Sequence, residues 1–123
     1  MKRFQLLLII FVTLFLGCKA DTEETFSFSS ILSNNEGKYY ITVLGATEEL
    51  KREFEQVFQR NINVIDGYYE NGNPSNRELQ ALKVESLPTY FVFDTEKEVF
   101  ITDDIFKLSK FLMERTNNTN RLN

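Results

Sequence analysis

The chain has 123 residues, room for one domain, with 42% hydrophobic and 26% charged side chains, and it contains neither His nor Trp. Fourteen basic against eighteen acidic residues give a net charge of −4, a balance that argues against nucleic-acid binding, whose affinity comes largely from Lys and Arg on phosphates. The missing imidazole excludes Ser/His and Cys/His nucleophile activation and histidine metal sites.

Lys2 and Arg3 precede an apolar run from Leu6 to Leu16 that only Thr13 interrupts. The run is shorter than the roughly 20 apolar residues of a spanning helix, so residues 1–17 read as a targeting segment. It ends in Phe15-Leu16-Gly17-Cys18, which resembles a bacterial lipobox. That resemblance implies a diacylglyceryl group on the Cys18 sulfur, cleavage before Cys18, and a lipid-anchored protein on the extracytoplasmic face of the cell membrane. Two acyl chains suffice for durable attachment where one is marginal. The alternative is an ordinary secretory signal whose apolar run happens to end at a cysteine. Cys18 is the chain's single cysteine. From there on, twelve basic and eighteen acidic side chains leave a net charge of −6, which fits a soluble surface.

Residues 18–37 read as the anchor residue, a tether and an entry to the domain. Lys19 to Thr25 is polar and acidic, as in a flexible spacer. Phe26 to Ser29 alternates as a short edge strand does, and Ser30 to Ser33 fits the start of a short helix equally well. Asn34-Asn35-Glu36-Gly37 is a turn cluster.

Tyr39 to Leu44, β-branched and aromatic and stopped by Gly45, predicts a strand. Thr47 is a candidate N-cap, and Glu48 and Glu49 complement the positive end of the helix dipole. Leu50, Phe54, Val57 and Phe58 share one face of a helix ending near Arg60, where Asn61 can close it. Ile62 to Ile65 predicts the next strand, broken at Asp66-Gly67, with Tyr68 to Asn73 as a loop. Ser75 with Glu78 three residues on fits a capping box, and Leu79 and Leu82 give the following helix its apolar face. Tyr90-Phe91-Val92-Phe93 reads as a buried strand opened by Leu87-Pro88-Thr89, since proline is tolerated at a strand's start. Thr95 to Glu98 turns the chain into Val99-Phe100-Ile101, making a hairpin. Thr102, Asp103 and Asp104 start a last helix packed through Ile105, Leu108 and Leu112. Residues 116–123 read as a frayed tail.

From Tyr39 the order is strand, helix, strand, helix, strand, strand, helix. This βαβ unit followed by αββα resembles the thioredoxin fold over about residues 38–115, most specifically in the helix, Leu-Pro-Thr step and aromatic strand between Glu78 and Asp94. The resemblance implies an α/β fold with a central mixed sheet of about four strands flanked by helices. It also implies a cis Leu87-Pro88 bond facing the start of the helix at Thr47. Redox-active members of that family carry Cys-x-x-Cys at this helix start, where the N-terminus lowers the attacking thiol's pKa. Here the stretch is Gly45-Ala46-Thr47-Glu48-Glu49-Leu50-Lys51, with no cysteine.

Dithiol chemistry is therefore excluded, and no catalytic residue carries over. Glu48-Glu49 and Asp103-Asp104 are paired carboxylates, but both stand at helix starts, where capping accounts for them. Asp66, Glu70, Asn71 and Asn73 do not match a calcium-loop spacing, and no glycine-rich phosphate loop is present. Tyr39-Tyr40 and Tyr68-Tyr69 are candidate binding aromatics, although strand alternation buries one of each pair. No metal and no cofactor is expected. What the resemblance leaves is the peptide-holding surface beside the cis-proline, which needs no sulfur. The expectation is a membrane-anchored, non-enzymatic lipoprotein with a redox-inactive thioredoxin-like domain that binds a protein or peptide through Thr47, Leu87 and Pro88. The competing class is a small structural lipoprotein of the cell wall or an envelope complex. An enzyme of unrecognised chemistry is the third.

Overall fold

The computed structural model describes residues 28–122; the targeting segment expected over 1–17, Cys18 and the tether up to residue 27 lie outside the described residues. Four strands, β1 (Tyr39–Leu44), β2 (Ile65–Asn71), β3 (Thr89–Phe93) and β4 (Glu98–Thr102), form one sheet in the order β2-β1-β3-β4. β1 and β2 run parallel, while β3 is antiparallel to both β1 and β4. The helices are α1 (Glu48–Arg60), α2 (Asn76–Ala81) and α3 (Ile105–Leu122). This is the α/β thioredoxin-like architecture expected from the element order.

Strand alternation divides the core between two faces. Ile41 and Val43 of β1, with Tyr90 and Val92 of β3, meet Phe54 and Val57 of α1 and Ile105, Leu108 and Leu112 of α3. Leu44, Phe91 and Phe93 point the other way, against Ile31 and Leu82. The second cover is much the thinner, because α2 has only six residues and none of them is fully buried.

Local chemistry explains most element ends. Thr47 Oγ1 accepts the Leu50 N–H at 3.3 Å, as an N-cap should. Ser75 and Glu78 complete the capping box, each side chain accepting the other's backbone N–H at 3.2 Å. Past α2, Lys83 takes a left-handed φ of +54°. The Val84 N–H then reaches Leu79 O and the Lys83 N–H reaches Gln80 O, a Schellman ending built without glycine. Asp94 Oδ1 accepts the Glu96 and Lys97 N–H groups at 2.7 Å each and closes the β3–β4 turn.

Several expectations need correction. The strand expected over Ile62–Ile65 lies later: Ile62–Val64 is a 3-10 turn, and the strand runs through Asp66-Gly67 to Asn71. The Asp-Gly pair makes a bulge and not a break. The pairing steps from Tyr39↔Ile65 to Tyr40↔Gly67, so Asp66 drops out of the ladder while the strand continues. A Cβ on Gly67 would stand 3.1 Å from the Tyr40 ring, which explains a glycine inside a strand. The edge strand proposed over Phe26–Ser29 is replaced, where described, by a 3-10 turn over Phe28–Ile31. The domain itself begins before residue 38, because Ile31 and Ser33 are buried. Asp66 holds that entry, with Oδ2 accepting the Asn34 N–H at 2.7 Å and Oδ1 the Asn35 amide at 2.6 Å. Finally, the tail expected from residue 116 is helical to Leu122. Thr116 Oγ1 donates to Asn61 Oδ1 at 2.7 Å, tying α3 to the end of α1.

Candidate functional site

The loop between β1 and α1 is set by Gly45, whose φ of +72° suits glycine, and its N–H bonds Asn71 O at 2.8 Å. Ala46 is buried, and Thr47 then caps the helix from an exposed position. Opposite this loop the chain leaves α2 through Ser86, and the Leu87-Pro88 peptide is cis, as the resemblance implies. Thr89 Oγ1 donates back to Ser86 O and braces the turn.

The two segments meet at Leu87. A Cβ on Gly45 would lie 2.7 Å from Leu87 Cβ and within 2.9 Å of both its terminal methyls. The leucine is thus seated on the glycine, and 49% of it remains exposed. Contact between the predicted site residues passes through Gly45, two positions before Thr47, which the sequence reading treated only as a strand stop. The available signal was a lone glycine between a strand and an N-cap. Beside the Ser86 turn lies a depression of about 320 Å³ lined by Lys83, Val84, Glu85, Ser86, Thr89, Ile101, Thr102 and Asp103. Ile101 is 48% exposed there. An apolar knob and a half-apolar depression therefore flank the same turn.

The helix start carries charge and is braced by it. Lys51 Nζ lies 3.2 Å from Glu48 and 3.5 Å from Glu70 of β2, and these carboxylates, Glu48 foremost, hold its ammonium above the usual lysine range. Behind the loop, Tyr90 is fully buried, and its hydroxyl has no hydrogen-bond partner among the described residues. Burial first, then Glu53, Asp104 and Glu70, push its pKa up to about 12, so it stays neutral.

Asp104 Oδ1 accepts the Phe106 N–H at 2.8 Å and Glu48 is paired with Lys51, so carboxylates at both helix starts have structural work. Among the described residues no group of three or more His, Cys, Asp or Glu side chains could hold a metal ion, and no helix is long and apolar enough to cross a membrane. Of the tyrosine pairs, Tyr68 packs edge-on against Phe54 and Phe58, and Tyr69 Oη donates to Glu78 Oε1 at 2.7 Å. Tyr39 stands edge-on to Phe111. The site residue Cys18 lies outside the described residues.

No protein-family model and no curated protein sequence matches the chain. Solved structures do. The thioredoxin Mala s 13 of Malassezia sympodialis is similar over 72% of this chain and 83% of its own, with TM-score 0.56 and 14% identity. The germline-specific thioredoxin Deadhead of Drosophila melanogaster covers 63% of this chain and 81% of its own, with TM-score 0.54 and 14% identity. Fasciola hepatica thioredoxin covers 65% and 83%, with TM-score 0.53 and 14% identity. Likeness at this level of identity shows the fold.

Proposed function

We infer that this chain is a membrane-anchored, extracytoplasmic lipoprotein whose thioredoxin-like domain binds a protein or peptide and is not an enzyme. The observation that carries the binding reading is Leu87, seated on Gly45, half exposed, and flanked by the depression that reaches Ile101. A half-exposed leucine at a sharply turned strand entry offers an apolar anchor. In this reading an extended segment would pair with backbone beside it. Thr47 and Pro88 bound that surface. Redox inactivity rests on the sequence itself, which has no cysteine after Cys18, so residues 19–123 supply no thiolate to attack a disulfide. Anchoring rests on Gly17-Cys18 at the end of the short apolar run.

The test is titration of the isotope-labelled chain, held in detergent, with a panel of extended peptides. Binders are expected to shift the amides of Gly45, Thr47, Leu87 and Thr89 together, and Leu87→Ala should weaken them. Binders that leave those amides unmoved would overturn the site. Reduction of insulin by the same preparation above the buffer blank would overturn the redox-inactive reading.

A further inference from the structure

Among the described residues the sheet has two edges, β2 and β4, and β2 is the more open. β4 has five residues, and its pairing slips between Val92 and Phe93. In β2 the slip stays at the start of the strand, and Gly67 to Asn71 pair with Tyr40 to Leu44 without a break. The Gly45 N–H bonds Asn71 O, so Asn71 turns its backbone to β1, and by alternation Tyr69 and Gly67 do as well. The backbone N–H and C=O groups of Tyr68 and Glu70 therefore point away from the sheet. No strand pairs with them among the described residues, and β2 carries neither the lysine nor the proline that often guards an open edge.

Beside this edge a groove of about 650 Å³ runs along α1, with Arg52, Glu55, Phe58 and Arg60 in its lining and Tyr68 from β2. Tyr68 is 42% exposed, and Tyr69, on the other face, 38%. From Cys18 on the chain carries a net charge of −6, yet the charged groups of this flank are two guanidiniums and one carboxylate. None of the three is in an ion pair among the described residues. We propose that this edge binds a second copy of the chain, β2 against β2, antiparallel about a two-fold axis at Tyr69. Only residues with outward backbone groups can exchange hydrogen bonds, which allows centres at Tyr68, Tyr69 or Glu70. A centre at Tyr68 sets Asp66 opposite Glu70, and a centre at Glu70 sets that carboxylate opposite itself; like charges directly opposite are destabilising. With the axis at Tyr69, Tyr68 of each copy exchanges bonds with Glu70 of the other, and the two Tyr69 rings meet. The α1 helices then lie antiparallel on one face. Lys51 reaches Glu70, while Phe54 and Phe58 meet Tyr68, so the axis is level with the Glu53–Phe54 step. Arg52 and Glu55 stand on either side of that level, and Arg52 of each copy comes opposite Glu55 of the other. The flank is thus complementary to itself, as a two-fold contact requires.

The full chain in detergent is tested by sedimentation over a range of protein concentrations and by amide hydrogen exchange. A concentration-dependent dimer is expected, in which the Tyr68 and Glu70 amides exchange more slowly than in the dilute protein. Arg52→Glu is expected to weaken dimerisation on the order of tenfold, by setting carboxylates against each other at two symmetric contacts. Adding Glu55→Arg to it reverses both charges and is expected to restore the dimer. Both side chains are exposed, so neither substitution disturbs the core. Three outcomes would each overturn the proposal. One is a monomer at every concentration, whether those amides exchange freely or are protected by another segment of the chain. Another is a dimer in which the Tyr68 and Glu70 amides exchange as fast as in the dilute protein. The third is a doubly substituted chain that associates no better than Arg52→Glu alone.

Discussion

Gly45 shows how one residue can set a site without contributing a side chain. Its positive φ disfavours any L-residue, and its missing Cβ is the space Leu87 occupies. Gly45→Ala is predicted to cost about 1–3 kcal/mol in urea unfolding. Leu87→Ala should not rescue it, because the nearest clashing atom is the Leu87 Cβ, which alanine keeps. A wild-type midpoint for Gly45→Ala would contradict this account. Asp66 acts through charge. The Asn34 N–H foremost, then the Asn35 side chain, hold its carboxyl below the usual carboxylate range. A depressed folded pKa contributes stability above the unfolded value of about 3.9 and loses it as pH falls through the folded one. Asp66→Ala should therefore be less stable than wild type at neutral pH, with the gap closing below about pH 4. Urea midpoints taken between neutral pH and pH 3 check the sign; a gap independent of pH would refute it.

Among the elements, α3 depends most on a contact its sequence does not advertise. Its polar stretch from Thr116 to Asn120 reads as a fraying tail, yet the helix continues to Leu122. Asn61, 1% exposed, donates its amide to Val57 O at 2.8 Å and accepts Thr116 Oγ1 at 2.7 Å, so both polar ends of a buried side chain are satisfied. Arg115 adds its guanidinium 3.3 Å from the Phe111 ring centre. Thr116→Val leaves Asn61 Oδ1 buried without this donor and is predicted to cost about 1–3 kcal/mol. Chemical denaturation measures it, and an unchanged midpoint would show that water reaches Asn61. By contrast α1 and α2 are legible from their own residues: Thr47, Ser75 and Glu78 cap through contacts three residues away, a range sequence spacing describes directly.

At the scale of the molecule the two sheet faces are unequal. One is packed by two long helices; the other is covered, among the described residues, by a short helix and an entry segment held by Asp66. The anchoring reading also belongs at this scale. Expressed in a bacterium, wild type is expected in the membrane fraction, and Cys18→Ala is expected in the medium or unprocessed. A fully cleaved Cys18→Ala protein that stayed in the membrane would refute lipidation at that residue.

The sequence by itself determined the element order and the strands β1, β3 and β4. The β-branched and aromatic runs of β1 and β3 bury on both faces, while that of β4 stays largely exposed, and such runs need no knowledge of what lies opposite. It also determined that no cysteine follows Cys18, which is a matter of inventory. Tertiary structure decided the rest, because the deciding partners stand far apart in the chain. Gly67 reads as a break until the Tyr40 ring is found against it. Asp66 reads as turn chemistry until the Ser33–Asn35 segment folds onto its carboxylate. Gly45 reads as a strand stop until Leu87 arrives from the other side of the sheet's end. The thin cover over Leu44, Phe91 and Phe93 follows from the shortness of α2 and from Ile31 and Leu32 packing there, which neither segment's own residues state.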